Sequence, residues 1–360
     1  MSEVSELADL TGVVLDGSAP SGPDAVWAGL ASAGVLAAAL PEDAGGSGLG
    51  VAGHAAVLRV LGAHVVATPY RDAVAVAAET LARHGTAQQR RTWLEPALRG
   101  ALRLATAWRE PDGAVPATPV TRAVPAGTGW ELTGSKTMVC AGPSADVLFV
   151  PATGPAGPLV LAVPTDLPGV RVEPQDLVDG VLPAAWVELA GAHVDADHVV
   201  GDEADGATVL AEVLVRQALA ACAEQVGVLA AAVRSTAGYA RERQQFGRPI
   251  GAFQAVSQRL ADALIDARAA ELTTAEALRV FTAAGETVTP EVLTAVDTAA
   301  YWATEAGHRV AHTCVHVHGG TGLDLDHPAH RYFATAKRLE FELGGATQRL
   351  RALGAALTRS

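Results

Sequence analysis

Between Leu104 and Val200 the apolar residues recur at every second position, and on either side of that stretch they recur with helical spacing. A strand buries alternate side chains and a helix buries one stripe, so neither period can be satisfied by the other structure. The segments RLATAW, TPVTRAV, WELTGSKTMVCA, DVLFVPA, PLVLAVP, VRVEP and AAWVELAGAHV are short, Val-rich and separated by Gly, Pro and Asp. That is the pattern of a small antiparallel β domain. Upstream, Ala25–Leu40, Val51–Val66, Ala73–His84 and Gln88–Leu98 read as helices, with a breaker cluster, PEDAGGSGLG, at Pro41–Gly50. Downstream, Ala204–Arg243, Phe253–Ala284 and Pro290–His318 read as long helices, and two shorter ones follow the His318-Gly319-Gly320 break. Long helices with short connections make a bundle. The expected fold is α+β, mostly α. It has an N-terminal helical domain over 1–103, a β domain over 104–203 and a C-terminal helical bundle over 204–360.

The composition fits such a chain and narrows its partners. Hydrophobic residues make up 49% of the 360 and charged ones 18%, enough apolar material for a large core. A net charge of -13 repels phosphate, which argues against nucleic acid or an anionic membrane as partner. Cys140, Cys222 and Cys314 lie far apart, with no CxxC spacing, and read as buried thiols of a reducing compartment. The start, MSEVSELADL, is acidic and unlike a signal or transit peptide, and no apolar run looks long and clean enough to span a bilayer. A cytoplasmic protein is expected.

Gly48-Leu49-Gly50-Val51-Ala52-Gly53 matches GxGxxG, with Asp72 near the distance of a ribose-binding acid. A dinucleotide fingerprint needs a strand before it and a βαβ unit around it. The segment before it reads as helix, and no parallel-sheet pattern follows, so the match is set aside. His312, Cys314, His316 and His318 alternate and suggest a metal at first sight. On a helix His312 faces with His316 and Cys314 with His318, which splits the set, so no metal is expected.

ARERQQFGRPIGAFQAVSQRLAD, from Ala240 to Asp262, is the informative corner. A basic helix end runs into Phe246, Gly247 and Pro249 break it, and a second amphipathic helix follows at once. An Arg and a Phe at such a break can hold a phosphate and a flat ring. The other reading is an ordinary helical hairpin with a solvated Arg.

With these motifs in order, the chain resembles the acyl-CoA dehydrogenase family over nearly its whole length. LPEDAGGSGLG is similar to that family's PEEYGGxG loop, and WREPDG (Trp108–Gly113) sits where the family has TEPGSD. LTGSKTMVCAGPSAD resembles LxGxKxxVxxAxxAD, and RQQFGRPIGAFQ resembles RxQFGxPIxxFQ. HVHGGTG resembles QxxGGxG, and HRYFATAKRLEFELGG resembles RxxRDAKxxxIxEGT. The resemblance implies FAD as cofactor. Arg243 would neutralise its pyrophosphate, Phe246 would pack near it, and Gln254 and His316 match family contacts. Gly319 and Gly320 would let backbone N–H groups approach phosphate. Trp108, Asp112, Met138, Val139 and Cys140 lie in segments that flank the isoalloxazine. The corner reaches the FAD of a neighbouring subunit in this family, so a homo- or hetero-oligomer is implied, a dimer or tetramer. The implied reaction is α,β-dehydrogenation of an acyl-CoA, with an electron-transfer flavoprotein as the acceptor the family offers.

The sequence departs from the family at the base. The C-terminal position that usually holds Glu is Leu343, and the alternative position on the preceding long helix is Gln217. Glu224 lies seven residues after Gln217, about 10 Å along a helix, in an apolar stretch. It is the candidate catalytic base, and equally suits a structural acid paired with an Arg. Glu340 and Glu342 are out of register and read as surface residues. His316 stands where the family often has Gln. Ala218, Ala220, Ala221 and Ala223 would leave room for a bulky or branched acyl group, sterol-like or polyketide-like. The C-terminal stretch from His318 resembles one subunit type of the heteromeric dehydrogenases of actinobacterial sterol side-chain breakdown. In such assemblies one subunit lacks the base. The chain is therefore expected to be an FAD-dependent acyl-CoA dehydrogenase, or a base-less partner subunit contributing to a shared FAD site.

Overall fold

Strands occupy the middle of the chain and helices both flanks. The computed structural model describes residues 2–18, 22–111, 117–177, 180 and 182–358. These form two compact units, Met1–His54 with Ala67–Gln217 and Ala55–Val66 with Ala218–Ser360.

In the first unit α1 (Glu3–Ser18), α2 (Pro23–Ser32) and α3 (Val35–Ala38) precede α4 (Gly50–His64), which runs on into the second unit. The GxGxxG match falls across the start of α4 behind a 3-10 turn at Glu42–Ala44, with no strand before it. A π-helical segment, Arg71–Ala78, is buried throughout and continues as α5 (Glu79–His84). Next, α6 (Ala87–Gln89) opens on a capping box, with Thr86 Oγ1 accepting from the Gln89 N–H and Gln89 Oε1 from the Thr86 N–H. The Gln89 amide also donates to the Asp197 and Val199 carbonyls, each at 2.7 Å. A π segment at Arg90–Leu94 leads into α7 (Glu95–Leu98).

The sheet comprises β1 (Leu104–Thr106), β2 (Arg122–Ala126), β3 (Gly129–Cys140), β4 (Val147–Gly154), β5 (Gly157–Pro164), β6 (Val170–Gln175) and β7 (Ala184–Asp195). Its order is β1-β4-β2-β3-β7-β6, with β5 on β4. Most neighbours are antiparallel, but β1 and β2 meet β4 in parallel, because β4 is reached across a loop and not through a hairpin. The inward faces pack Trp130, Leu132, Leu148, Val150, Leu161 and Val187 into one core. Within the sheet unit Lys136 is fully buried, bonded to Glu110 at 2.9 Å and to the Pro151 carbonyl at 2.8 Å.

The second unit is built on α8 (Gly206–Glu242) from Ala218 onward, with α9 (Gln254–Ala283), α10 (Pro290–His318), α11 (Ala329–Glu342) and α12 (Gly345–Leu357). By length and composition Glu203–Glu242 could cross a bilayer, contrary to the expectation from sequence, but 67% of its apolar window is buried in the protein, as befits a core helix. Glycines let α8 touch its neighbours. A Cβ on Gly227 would collide with the Arg59 carbonyl of α4, and one on Gly62 with the Glu224 carbonyl. The Gln225 amide spans Ala303 O and Ala336 O at 3.2 Å each, joining α8, α10 and α11. The alanines at 218, 220, 221 and 223 are at most 7% exposed and pack α8 into the core.

Candidate functional site

Beyond Glu242 the chain reverses through a two-residue ribbon, β8 (Gln244–Gln245) with β9 (Arg248–Pro249). The turn between them, Phe246-Gly247, has φ of 53° and 76°, a pair of left-handed residues that suits a tight hairpin. A left-handed phenylalanine costs about 1 kcal/mol where Asn or Gly would cost little. The Phe246 side chain is 91% exposed and stands edge-on to Phe253, 6.1 Å between centroids. The Arg248 guanidinium lies 4.1 Å over the Phe253 ring. Beside this corner a cavity of about 290 Å³ is lined by Phe246, Ile250, Phe253, Val256, Arg259 and His316 among others.

Of the residues nominated from sequence, the cavity therefore gathers Phe246 and His316. Arg243 is exposed at the end of α8 and makes no ion pair among the described residues; Gln254 is exposed as the first residue of α9. Neither lines the cavity. Gly319 and Gly320 follow α10 directly, both exposed, and a Cβ on either would meet nothing within 4 Å. The space beside them is open, while the Gly319 N–H itself donates to the Val315 and His316 carbonyls that end α10. Phe253 and Arg259 were missed by sequence reasoning. Val256 and Arg259 are three apart on α9, and continuing the Phe253 stripe by one turn reaches them. An exposed aromatic edge, guanidinium groups without carboxylate partners among the described residues and open space beside the glycines fit a flat ring carrying phosphate.

The alternating His and Cys residues of α10 do not form one cluster. His316 faces the cavity and His312 meets Phe333 edge-on. Cys314 is buried, with its thiol pushed up to about 11 by desolvation. His318 is buried, stacks on Tyr239 at 4.4 Å and bonds the Cys314 carbonyl through Nδ1.

In the sheet unit Trp108 is 4% exposed, and its buried indole N–H has no hydrogen-bond partner among the described residues. Asp112 lies outside the described residues. Met138 is half-buried in a left-handed conformation, φ 53°, at a register shift of β3. Val139 follows it in β3. It is 1% exposed and belongs to the sheet core, because the irregularity at Met138 resets the alternation and turns the next side chain inward.

Neither usual base position holds an acid. Leu343 is buried, 2% exposed, where α11 ends. Gln217 donates to Asp72 Oδ1 at 3.3 Å, and its own carbonyl oxygen is buried without a partner. Asp72 also accepts from Thr106 at 2.6 Å and from Arg71 at 3.2 Å, so it is saturated and charge-paired. Close by, Glu79 is 0% exposed and bonds His54 at 3.2 Å and Arg83 at 2.6 Å, with Arg216 at 3.5 Å. Burial pushes the Glu79 carboxyl up, but the His54 hydrogen bond and the charges of His54, Arg216 and Arg83 outweigh it and hold the group at about 2.

Glu224 pairs with Arg338 at 3.0 Å, and Arg338 also holds Glu342 at 2.8 Å. All three side chains are at most 14% exposed. Arg338 thus bridges the two carboxylates from one guanidinium. Glu224 therefore sits in the arrangement of a structural acid paired with an Arg, the second of the two readings the sequence left open. Glu342 is buried in the same triad and not a surface residue. Glu340 is likewise mostly buried, 2.6 Å from Lys337.

Similarities to known proteins agree with this layout. Residues 15–101 match the acyl-CoA dehydrogenase N-terminal domain and residues 204–357 the acyl-CoA dehydrogenase C-terminal domain. The acyl-CoA dehydrogenase FadE27 of Mycobacterium tuberculosis is 44% identical over 339 residues, 93% of this chain and 88% of that protein. The ChsE4-ChsE5 complex from Mycobacterium tuberculosis contains a chain of the same fold, with a TM-score of 0.92 and 40% identity, covering 100% of this chain and 98% of that one. A variant of the Tcur3481-Tcur3483 steroid ACAD follows at 0.89 and 34%, covering 99% and 98%. The chain belongs to the acyl-CoA dehydrogenase family, FAD-dependent oxidoreductases that act on the CH–CH bond of acyl-CoA thioesters.

Proposed function

We propose that this chain is one subunit of a heteromeric acyl-CoA dehydrogenase. It lends its Phe246 corner to a shared FAD site and leaves proton abstraction to a carboxylate of its partner. The observation that carries this reading is the Glu224–Arg338 pair at 3.0 Å, together with Gln at 217 and a buried Leu at 343. The similarity to one chain of the ChsE4-ChsE5 complex supports it. The likeness to a steroid ACAD supports a bulky, sterol-like acyl-CoA as substrate.

In this reading Arg243 and Arg259 balance the pyrophosphate charge, Phe246 and Phe253 offer ring edges to the adenine, and His316 offers a hydrogen bond. Gln254, Gly319 and Gly320 complete the binding surface. In the first unit, taken by itself, Trp108 and Met138 form a wall for an isoalloxazine, while the corner of the second unit serves the FAD of a neighbouring subunit. FAD, when bound, supplies the acceptor for the β-hydrogen as hydride, while the α-proton leaves to a carboxylate. An electron-transfer flavoprotein would reoxidise the assembly. The chain divides into 1–103, 104–203 and 204–360, a cut supported by the change from helix to strand after Leu98 and back to helix at Gly206. Three buried free thiols support a cytoplasmic setting.

The test is Glu224→Gln in the co-purified assembly. Turnover within about threefold of wild type is expected, since neither charge nor proton transfer at 224 enters the chemistry. A loss of a hundredfold or more, with the fold and flavin content intact, would make Glu224 the base and overturn the proposal.

A further inference from the structure

Between two of its pairs with β7, β3 carries one residue too many. Lys136 faces Val187 and Val139 faces Ala185, so Thr137 and Met138 together oppose Trp186 alone. This is a β-bulge, and its left-handed position ordinarily goes to glycine. Here it is taken by Met138, φ 53°. A side chain kept in a sparsely populated conformation persists because its surroundings over-determine it, and such strain gathers at functional sites.

The surroundings are specific. Gln175, the last residue of β6, accepts from the Met138 backbone N–H at 2.8 Å through Oε1 and donates to Thr137 Oγ1 at 3.1 Å through Nε2. The Thr137 N–H donates to the Arg109 carbonyl at 3.0 Å, tying the bulge to the segment that bears Trp108. Lys136, immediately before the bulge, is anchored on Glu110 in the same segment. Two adjoining segments are thus locked together, and one amide side chain from a third strand holds the strained residue between them.

We propose that Gln175 is a positioning residue that sets Met138 against the flavin ring. This rests on the reading that Met138 and Trp108 flank the isoalloxazine. Glycine would make the bulge without strain but would leave that wall without a side chain.

The test uses the co-purified holo-assembly with Gln175→Ala and Gln175→Glu. Glutamate keeps the oxygen that receives the Met138 N–H, and alanine removes it. Three quantities are measured: hydrogen exchange at the Met138 amide, the visible flavin absorption band, and the flavin dissociation constant. For Gln175→Ala the Met138 amide should exchange about tenfold faster, while the ladder-paired Val139 amide stays protected. The flavin band should shift, and flavin should bind about tenfold more weakly. Gln175→Glu should restore the amide protection and most of the spectrum. Adding Met138→Gly to Gln175→Ala should relieve the backbone strain without restoring the flavin spectrum. Unchanged Met138 exchange in Gln175→Ala overturns the clamp. An opened amide with unchanged flavin band and affinity overturns the positioning role. A wild-type assembly that binds flavin nowhere overturns the reading of the site itself, and this role with it.

Discussion

Arg338 holds two carboxylates in a setting where 8% of its side chain is exposed. Removing the guanidinium leaves Glu224 and Glu342 facing each other with their common counter-charge gone. Arg338→Met is therefore expected to destabilise the protein by about 3 kcal/mol, read as a lowered urea midpoint. A loss below about 1 kcal/mol would contradict the structural role given to this triad. Glu79 makes the corresponding acid-side prediction. Its carboxyl sits at about 2 in the folded protein against 4.5 ordinarily, so the folded state binds fewer protons than the unfolded one between those values. Its contribution, about 3 kcal/mol, is fully present above pH 4.5 and is lost as pH falls toward 2. Glu79→Gln should lower stability at neutral pH and flatten the decline across that window. An unchanged acid limb in equilibrium unfolding would show that Glu79 does not drive it. Neither interaction was legible in the sequence. Arg338 lies 114 residues beyond Glu224, and only the packing of α11 on the bundle brings them together. His54, Glu79 and Arg216 likewise come from three separate helices.

Elements were easier to read than contacts. Pro290–His318 could be bounded from sequence because Pro opens the helix and a Gly pair follows it, both acting through the local backbone. The reversal at Phe246 was legible through Gly247 and Pro249 for the same reason. The π segment Arg71–Ala78 and the parallel contacts of β4 carry no such local mark, and the burial of Val139 depends on one inserted residue. Two predictions belong at this level. Gly227→Ala presses a methyl group into the Arg59 carbonyl where α8 and α4 touch, and should cost about 1–3 kcal/mol by thermal or urea denaturation. No measurable loss would mean that the helices separate freely there. Phe246→Asn relieves the left-handed phenylalanine. It should leave the apo-protein as stable or up to about 1 kcal/mol more stable, while the assembly loses flavin affinity. Undiminished flavin binding by this variant would remove Phe246 from the cofactor surface.

On the scale of the whole molecule, the sequence carried the family because its motifs are spread in order along the chain. It could not say which chain supplies the base, since that residue is expected in another polypeptide. The exposed ring of Phe246, the guanidinium groups of Arg243 and Arg259, which have no carboxylate partner among the described residues, and the open space beside Gly319 and Gly320 all lie on the surface of the second unit. In the proposed reading such a surface is covered by the flavin or by another chain. The direct measurement is the bound flavin per chain and the rate of acyl-CoA dehydrogenation, for this chain alone and for this chain co-purified with a base-bearing dehydrogenase subunit from the same host. The account predicts little flavin and no turnover alone, and both in the assembly. A homomer that holds one flavin per chain and dehydrogenates acyl-CoA by itself would contradict it.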